Sequence, residues 1–202
     1  MITKTVSTLA SFISLALLFV FCDRTALFAI LCATALHELG HIAAAKILRI
    51  KISCFSVDLL GARLDTEHSS MSYSDEIILS ASGAFINILT VLFFRGCSLP
   101  FLVHLRTSSF GLAFLNLLPV ESFDGGHILY CSLAKFTNVS TVTKILRVFS
   151  FLCIFMLWCV SVYFLIRFSD SLSLFVFSTS LFNRLFCQNN EIYGEKASIK
   201  KK

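Results

Sequence analysis

Residues 25–48 form an apolar run long enough to cross a bilayer, and His37-Glu38-Leu39-Gly40-His41 lies inside it. Hydrocarbon offers a backbone no hydrogen-bond partners, so such a run has to be helical. On a helix the spacing of four sets His37 and His41 on one face, a turn apart, where both imidazoles can reach one metal ion. Glu38 lies beside that face, placed to take a proton from water rather than to fill a coordination position. The alternative is a buried polar network without a metal. Each such group left unpaired at mid-membrane costs about 2.5–3.5 kcal/mol, which weighs the reading towards function.

Hydrophobic residues make up 56% of the 202, and the mean hydropathy is +0.83, outside the range of an ordinary soluble domain. The composition predicts an α-helical polytopic membrane protein. The net charge of +5 does not imply a nucleic-acid partner, because the basic residues sit at the ends of apolar runs and in a Lys200-Lys201-Lys202 tail. Eight cysteines include no C-x-x-C pair and read as small apolar packing residues. The 22 phenylalanines read as lipid-facing and interhelical bulk.

Counting runs of about 20 apolar residues predicts six transmembrane helices, near 6–22, 25–48, 76–95, 99–118, 143–166 and 171–187. Residues 1–187 then form a single domain and 188–202 a polar basic tail. The first run has no small-residue cleavage site after it and reads as an uncleaved span. Lys4, Lys46, Arg49, Lys51, Arg63, Lys135, Lys144, Arg147 and Arg184 fall on one side, and Arg24, Arg95, Arg106 and Arg167 on the other. The positive-inside rule puts both termini in the cytoplasm of a multi-pass cell-membrane protein, with the paired histidines nearer the cytoplasmic face. Between the second and third spans the pattern has period two, which predicts a short strand or hairpin at the cytoplasmic membrane surface.

A catalytic zinc needs a third protein ligand and an open position. Asp124 stands out, in Asn116-Leu117-Leu118-Pro119-Val120-Glu121-Ser122-Phe123-Asp124-Gly125-Gly126-His127. Pro119 breaks the fourth span, the two glycines permit irregular backbone, and an apolar helix resumes at Ile128. Asp124 also suits a plain helix N-cap. His127 follows it by one turn; a fourth protein ligand would close the site, so His127 is expected to stand outside the coordination sphere. His68 and His104 read as loop and interfacial residues.

Together these segments resemble the site-2 protease family of intramembrane zinc metalloproteases: the His-Glu-Leu-Gly-His motif, then N-x-x-P-x-x-x-x-D-G at Asn116, Pro119, Asp124 and Gly125. Gly83-Ala84-Phe85-Ile86-Asn87 is similar to the family's G-x-x-x-N element, with Ala84 where proline is common. The resemblance covers residues 25 to 135. It implies Zn2+ held by His37, His41 and Asp124, Glu38 as general base, and peptide hydrolysis in a membrane-associated protein substrate under a membrane regulatory partner. Asn116 and Asn87 are candidates to hold the substrate backbone or a developing oxyanion, the other reading being interhelical hydrogen bonding. The short chain and the surface strand look most like the branch containing the stage IV sporulation protease FB, which frees a sigma factor from its pro-sequence. The CBS domain common in that branch has no room here, so ATP-linked regulation through it is not expected. Two other classes compete: a metal or proton transporter whose His, Glu and Asp line an ion path, and a catalytically silent homologue that binds clients. Intact Glu38 and the N-x-x-P/D-G element weigh against the first, and the presence of His37, His41, Asp124 and Glu38 together weighs against the second.

Overall fold

The computed structural model describes residues 23–50, 52–58, 61–66, 71–167, 175, 177–179 and 181–182, with backbone alone for 52–58 and 61–66. The expected first span, most of the sixth, the 188–202 tail and His68 lie outside these residues. Five helices and one hairpin are described: α1 (Arg24–Ile47), β1 (Ile52–Asp58), β2 (Gly61–Thr66), α2 (Tyr73–Phe93), α3 (Pro100–Asn116), α4 (Asp124–Ala134) and α5 (Val139–Arg167). Of these, α1, α2 and α5 are long and apolar enough to cross a membrane. The 17 residues of α3 reach only about 25 Å at 1.5 Å per residue.

The helices begin and end where local chemistry dictates. Ser72 caps α2, its hydroxyl accepting the Ser74 N–H at 3.2 Å, and Asp75 and Glu76 place negative charge in the first turn. Pro100 opens α3, where its missing N–H costs nothing. At the end of α1, Arg49 turns into the left-handed region at φ 55°. Its N–H bonds to Lys46 O at 3.2 Å and that of Ile50 to Ala45 O at 2.9 Å, closing the last turn in a Schellman motif. The chain then enters β1, which pairs antiparallel with β2 from Ile52↔Thr66 to Asp58↔Gly61, with an irregularity between Ile52 and Cys54.

The chain divides into two compact units. In the unit 22–150, α1 packs on α2 and α3, and α2 packs on α3 and α4. Ala29, Ala33 and Leu105 form an apolar cluster, flanked by Leu36, Phe94 and Phe101. The size distribution is inverted relative to a soluble core. Among the described residues, the wholly buried side chains include Asn87, Ser109 and Cys131, whereas Phe28, Phe93 and Phe110 are more than half exposed. Water would penalise that arrangement; lipid does not, and small residues inside let helices approach closely. In the unit holding residues 151–202, Ser161 and Ser178 share a 2.7 Å hydrogen bond, and Phe182 packs against Phe151 and Trp158.

Candidate metal centre

The buried stripe of α1 runs Ala29, Ala33, His37, His41, Ala45, one residue per turn, so the two imidazoles occupy positions otherwise given to alanine. Across from them, Gly40 of α1 meets α2 at Gly83: a Cβ on Gly40 would stand 2.7 Å from Ser82 O and 3.0 Å from the Gly83 Cα. A Cβ on Gly83 would stand 2.5 Å from His41 Nε2 and 2.8 Å from His37 Nε2. The space beside the two nitrogens exists because residue 83 has no side chain.

Asp124 arrives from another direction. After α3 the segment 117–123 folds on itself through Val120 N to Leu118 O and Phe123 N to Val120 O, while Glu121 N donates to Ser150 Oγ at 2.9 Å. Val120 and Phe123 are buried and anchor the break. Phe123 is the N-cap of α4 and Asp124 its first residue, so Asp124 is not the N-cap. The helix also resumes earlier than the sequence suggests: Gly125 and Gly126 are helical and buried, not irregular. Glycine is required there by contact, since a Cβ on Gly125 would collide with Leu117 O and one on Gly126 with Val120 O.

The result is a triangle of three atoms. His37 Nε2 and His41 Nε2 are 3.2 Å apart, and Asp124 Oδ2 lies 3.1 Å from the first and 3.4 Å from the second. Tetrahedral coordination with bonds of ~2.0–2.1 Å predicts ligand separations of about 3.3–3.4 Å. All three edges are close to that value. Asp124 Oδ2 is buried and its lone pairs face the two nitrogens, neither of which meets it in good hydrogen-bond geometry. One proton can bridge one edge of such a triangle, whereas a cation at its centre satisfies all three. The residues therefore fit a metal ion, and the two-nitrogen, one-oxygen donor set leaves a position open.

The far side of each imidazole is also held. His41 Nδ1 donates to Leu79 O at 2.8 Å, a carbonyl that also accepts from Ser82 Oγ at 2.6 Å. His37 Nδ1 lies 3.2 Å from the Asn87 amide. Asn87 is wholly buried and makes the interhelical bond that was one of its two readings. Glu38 is partly buried and stands outside the cluster, and so does His127, which is exposed. Asn116 ends α3 partly buried, and no described hydrogen bond of its side chain joins it to the triangle. Sequence reasoning missed Leu79 O and Ser82. A backbone carbonyl leaves no signature, though a serine one residue before Gly83 in an apolar helix was a signal available to read.

Farther along α4, Cys131 Sγ donates to Glu76 Oε2 at 2.8 Å, tying α4 to α2. Burial, then the carboxylate, push the thiol up to about 12, so it stays protonated and acts as a donor. The described free cysteines are Cys32, Cys97, Cys131, Cys153 and Cys159, none paired.

No protein-family model matches the sequence, and no curated protein matches it. Among solved structures, the chain is similar to a site-2 protease from Methanocaldococcus jannaschii, with a TM-score of 0.59 and 19% identity over 88% of this chain and 85% of that one. The similarity shows a shared fold.

Proposed function

We propose that the chain is an intramembrane zinc metalloprotease that cuts a membrane-associated protein substrate. One observation carries the reading: three lone-pair donors from α1 and α4 converge at metal-ligand separations, with a glutamate next to one of them that is not part of the set. The fold shared with a site-2 protease supports it. Zinc suits two imidazoles and one carboxylate, and bound there it would supply Lewis-acid polarisation of a carbonyl and acidify water.

The chain's own residues do the rest. Glu38 accepts a proton from the attacking water and passes it to the leaving amine. His37, His41 and Asp124 hold the ion, their positions fixed by the α1–α2 contact and the 117–123 break. Asn116 supplies an uncharged amide donor to substrate backbone or a developing oxyanion. A helical substrate has no free carbonyl to offer and must unwind; the outer edges of the β1–β2 hairpin suit an extended peptide. By its charge distribution the catalytic domain is a multi-pass cell-membrane protein with both termini and the scissile bond on the cytoplasmic side, under a regulatory partner in the same membrane. A sigma-factor pro-sequence is the substrate class that the sporulation branch of the resemblance suggests.

The decisive experiment uses the full chain in proteoliposomes with membrane-associated candidate substrates. Glu38→Gln should retain wild-type zinc content and lose at least about 100-fold in cleavage rate, the scale of a removed general base. A Gln variant that cuts at the wild-type rate overturns the assignment of Glu38. Zinc flux across the vesicle without cleavage overturns the protease reading in favour of transport.

A further inference from the structure

Resting on the metal reading above, we infer that Asn87 is a positioning residue for His37, its side-chain carbonyl accepting the His37 Nδ1–H when the metal is bound. A neutral imidazole carries one N–H. For Nε2 to offer its lone pair to a metal, the proton has to sit on Nδ1 and requires an acceptor. His41 has an unambiguous one, because Leu79 O can only accept. His37 has the Asn87 amide at 3.2 Å and nothing else described on that side.

The amide stands with its Nδ2 towards His37 and its Oδ1 buried without a partner. In that orientation Nδ2 donates, the His37 proton moves to Nε2, and it points into the triangle at Asp124 Oδ2, 3.1 Å away. This is the tautomer of a centre bridged by protons. Turning the amide by half a revolution exchanges two atoms of nearly identical size, gives Oδ1 the Nδ1–H, and turns the His37 lone pair inward. The amide has one partner in either state, so the His37 tautomer selects between them. Asn87 and Leu79 lie two turns apart on α2, on either side of Gly83, and together they orient both histidines. With no exposed surface, Asn87 is not open to a substrate in this structure.

Three variants of the full chain test this: Asn87→Ala, Asn87→Leu and Asn87→Asp. Zinc affinity is read by competition with a chromophoric chelator, ligand geometry by the visible spectrum of the cobalt-loaded protein, and folding by thermal melting without metal. Ala and Leu should each lose about 10–100-fold in zinc affinity, the range for removing the partner of a ligating histidine, and alter the cobalt spectrum. Asp keeps an acceptor and should hold zinc at least as well as wild type. If Leu binds zinc like wild type while melting normally, the residue only fills space and the inference falls. Should Asp not fold, Ala and Leu decide between them. A wild-type chain that binds no zinc overturns the metal reading and this one together, whereas full affinity in Ala and Leu overturns this one alone.

Discussion

On the α1–α2 side, the candidate metal-ligand atoms come from the middle of a regular helix; on the α3–α4 side, the third comes from the first residue of a helix set by the break before it. The helical pair places His37 and His41 by periodicity, and glycines at 40 and 83 remove the side chains that would hold the helices apart. The break places Asp124 by backbone contact: residues 117–121 lie against Gly125 and Gly126 so closely that no Cβ fits. Two kinds of glycine follow. Gly83 leaves space beside two imidazole side chains, while Gly126 makes room for a carbonyl that cannot move without its chain.

The largest expected effect exploits that difference. Gly126→Ala drives a Cβ into Val120 O and should destabilise the fold by about 3 kcal/mol or more, beyond ordinary overpacking because backbone has to yield. Gly83→Ala should cost less metal-free stability, about 1–3 kcal/mol, because side chains rather than backbone yield, and should cut zinc affinity by about 10–100-fold, since its methyl crowds both Nε2 atoms. Thermal melting with zinc titration on both variants checks the contrast. A Gly126→Ala protein that melts and binds zinc like wild type would show that the break is loose, and the comparison would fail.

The same difference explains what was legible in the sequence. His37 and His41 could be paired from spacing alone because one helix carries both, and helical period is a local property. Asp124 could be singled out by residue type in a broken segment, but its convergence on the histidines depends on tertiary contacts that no local pattern encodes. Reading Gly125-Gly126 as irregular backbone was reasonable from composition. The structure shows helix there, because glycine was selected by the proximity of residues 117–120 and not by a left-handed turn. Leu79 O was invisible for a related reason: every residue has a carbonyl, and only the α1–α2 contact makes this one matter. Glu38 and Asn116 are candidates that stand outside the triangle itself.

A middle-sized effect concerns the hydrogen bonds on each side. Ser150→Ala strips the Glu121 N–H of its acceptor in a partly buried segment and should cost about 1 kcal/mol, with faster amide exchange across 117–123 by mass spectrometry. Ser82→Ala removes a hydroxyl that bonds Leu79 O and stands 3.3 Å from His41 Nδ1, but Leu79 O still accepts from His41, so amide exchange should not change measurably and zinc affinity should fall by less than about tenfold. Equal effects from the two serines would mean that the break is no more dependent on its Ser150 bond than the helix pair is on Ser82.

The smallest effect has the opposite sign and reverses the intuition that irregular segments carry the strain. Among the described residues, the non-glycine at positive φ is Arg49, which ends the regular helix α1, and none lies in the break. The Schellman bonds from Arg49 and Ile50 hold the left-handed geometry, at a cost of about 1 kcal/mol for a residue bearing a Cβ. Arg49→Gly removes that cost and should stabilise the protein by up to about 1 kcal/mol, less whatever glycine gives back as extra freedom in the unfolded chain. A rise in melting temperature with unchanged zinc affinity is the expected result. Arg49→Val should shift the melt downward, because a β-branched side chain tolerates positive φ least. If Arg49→Gly lowers the melting temperature instead, the guanidinium at the C-terminal end of α1 contributes more than its strained backbone loses, and charge at that helix end outweighs geometry.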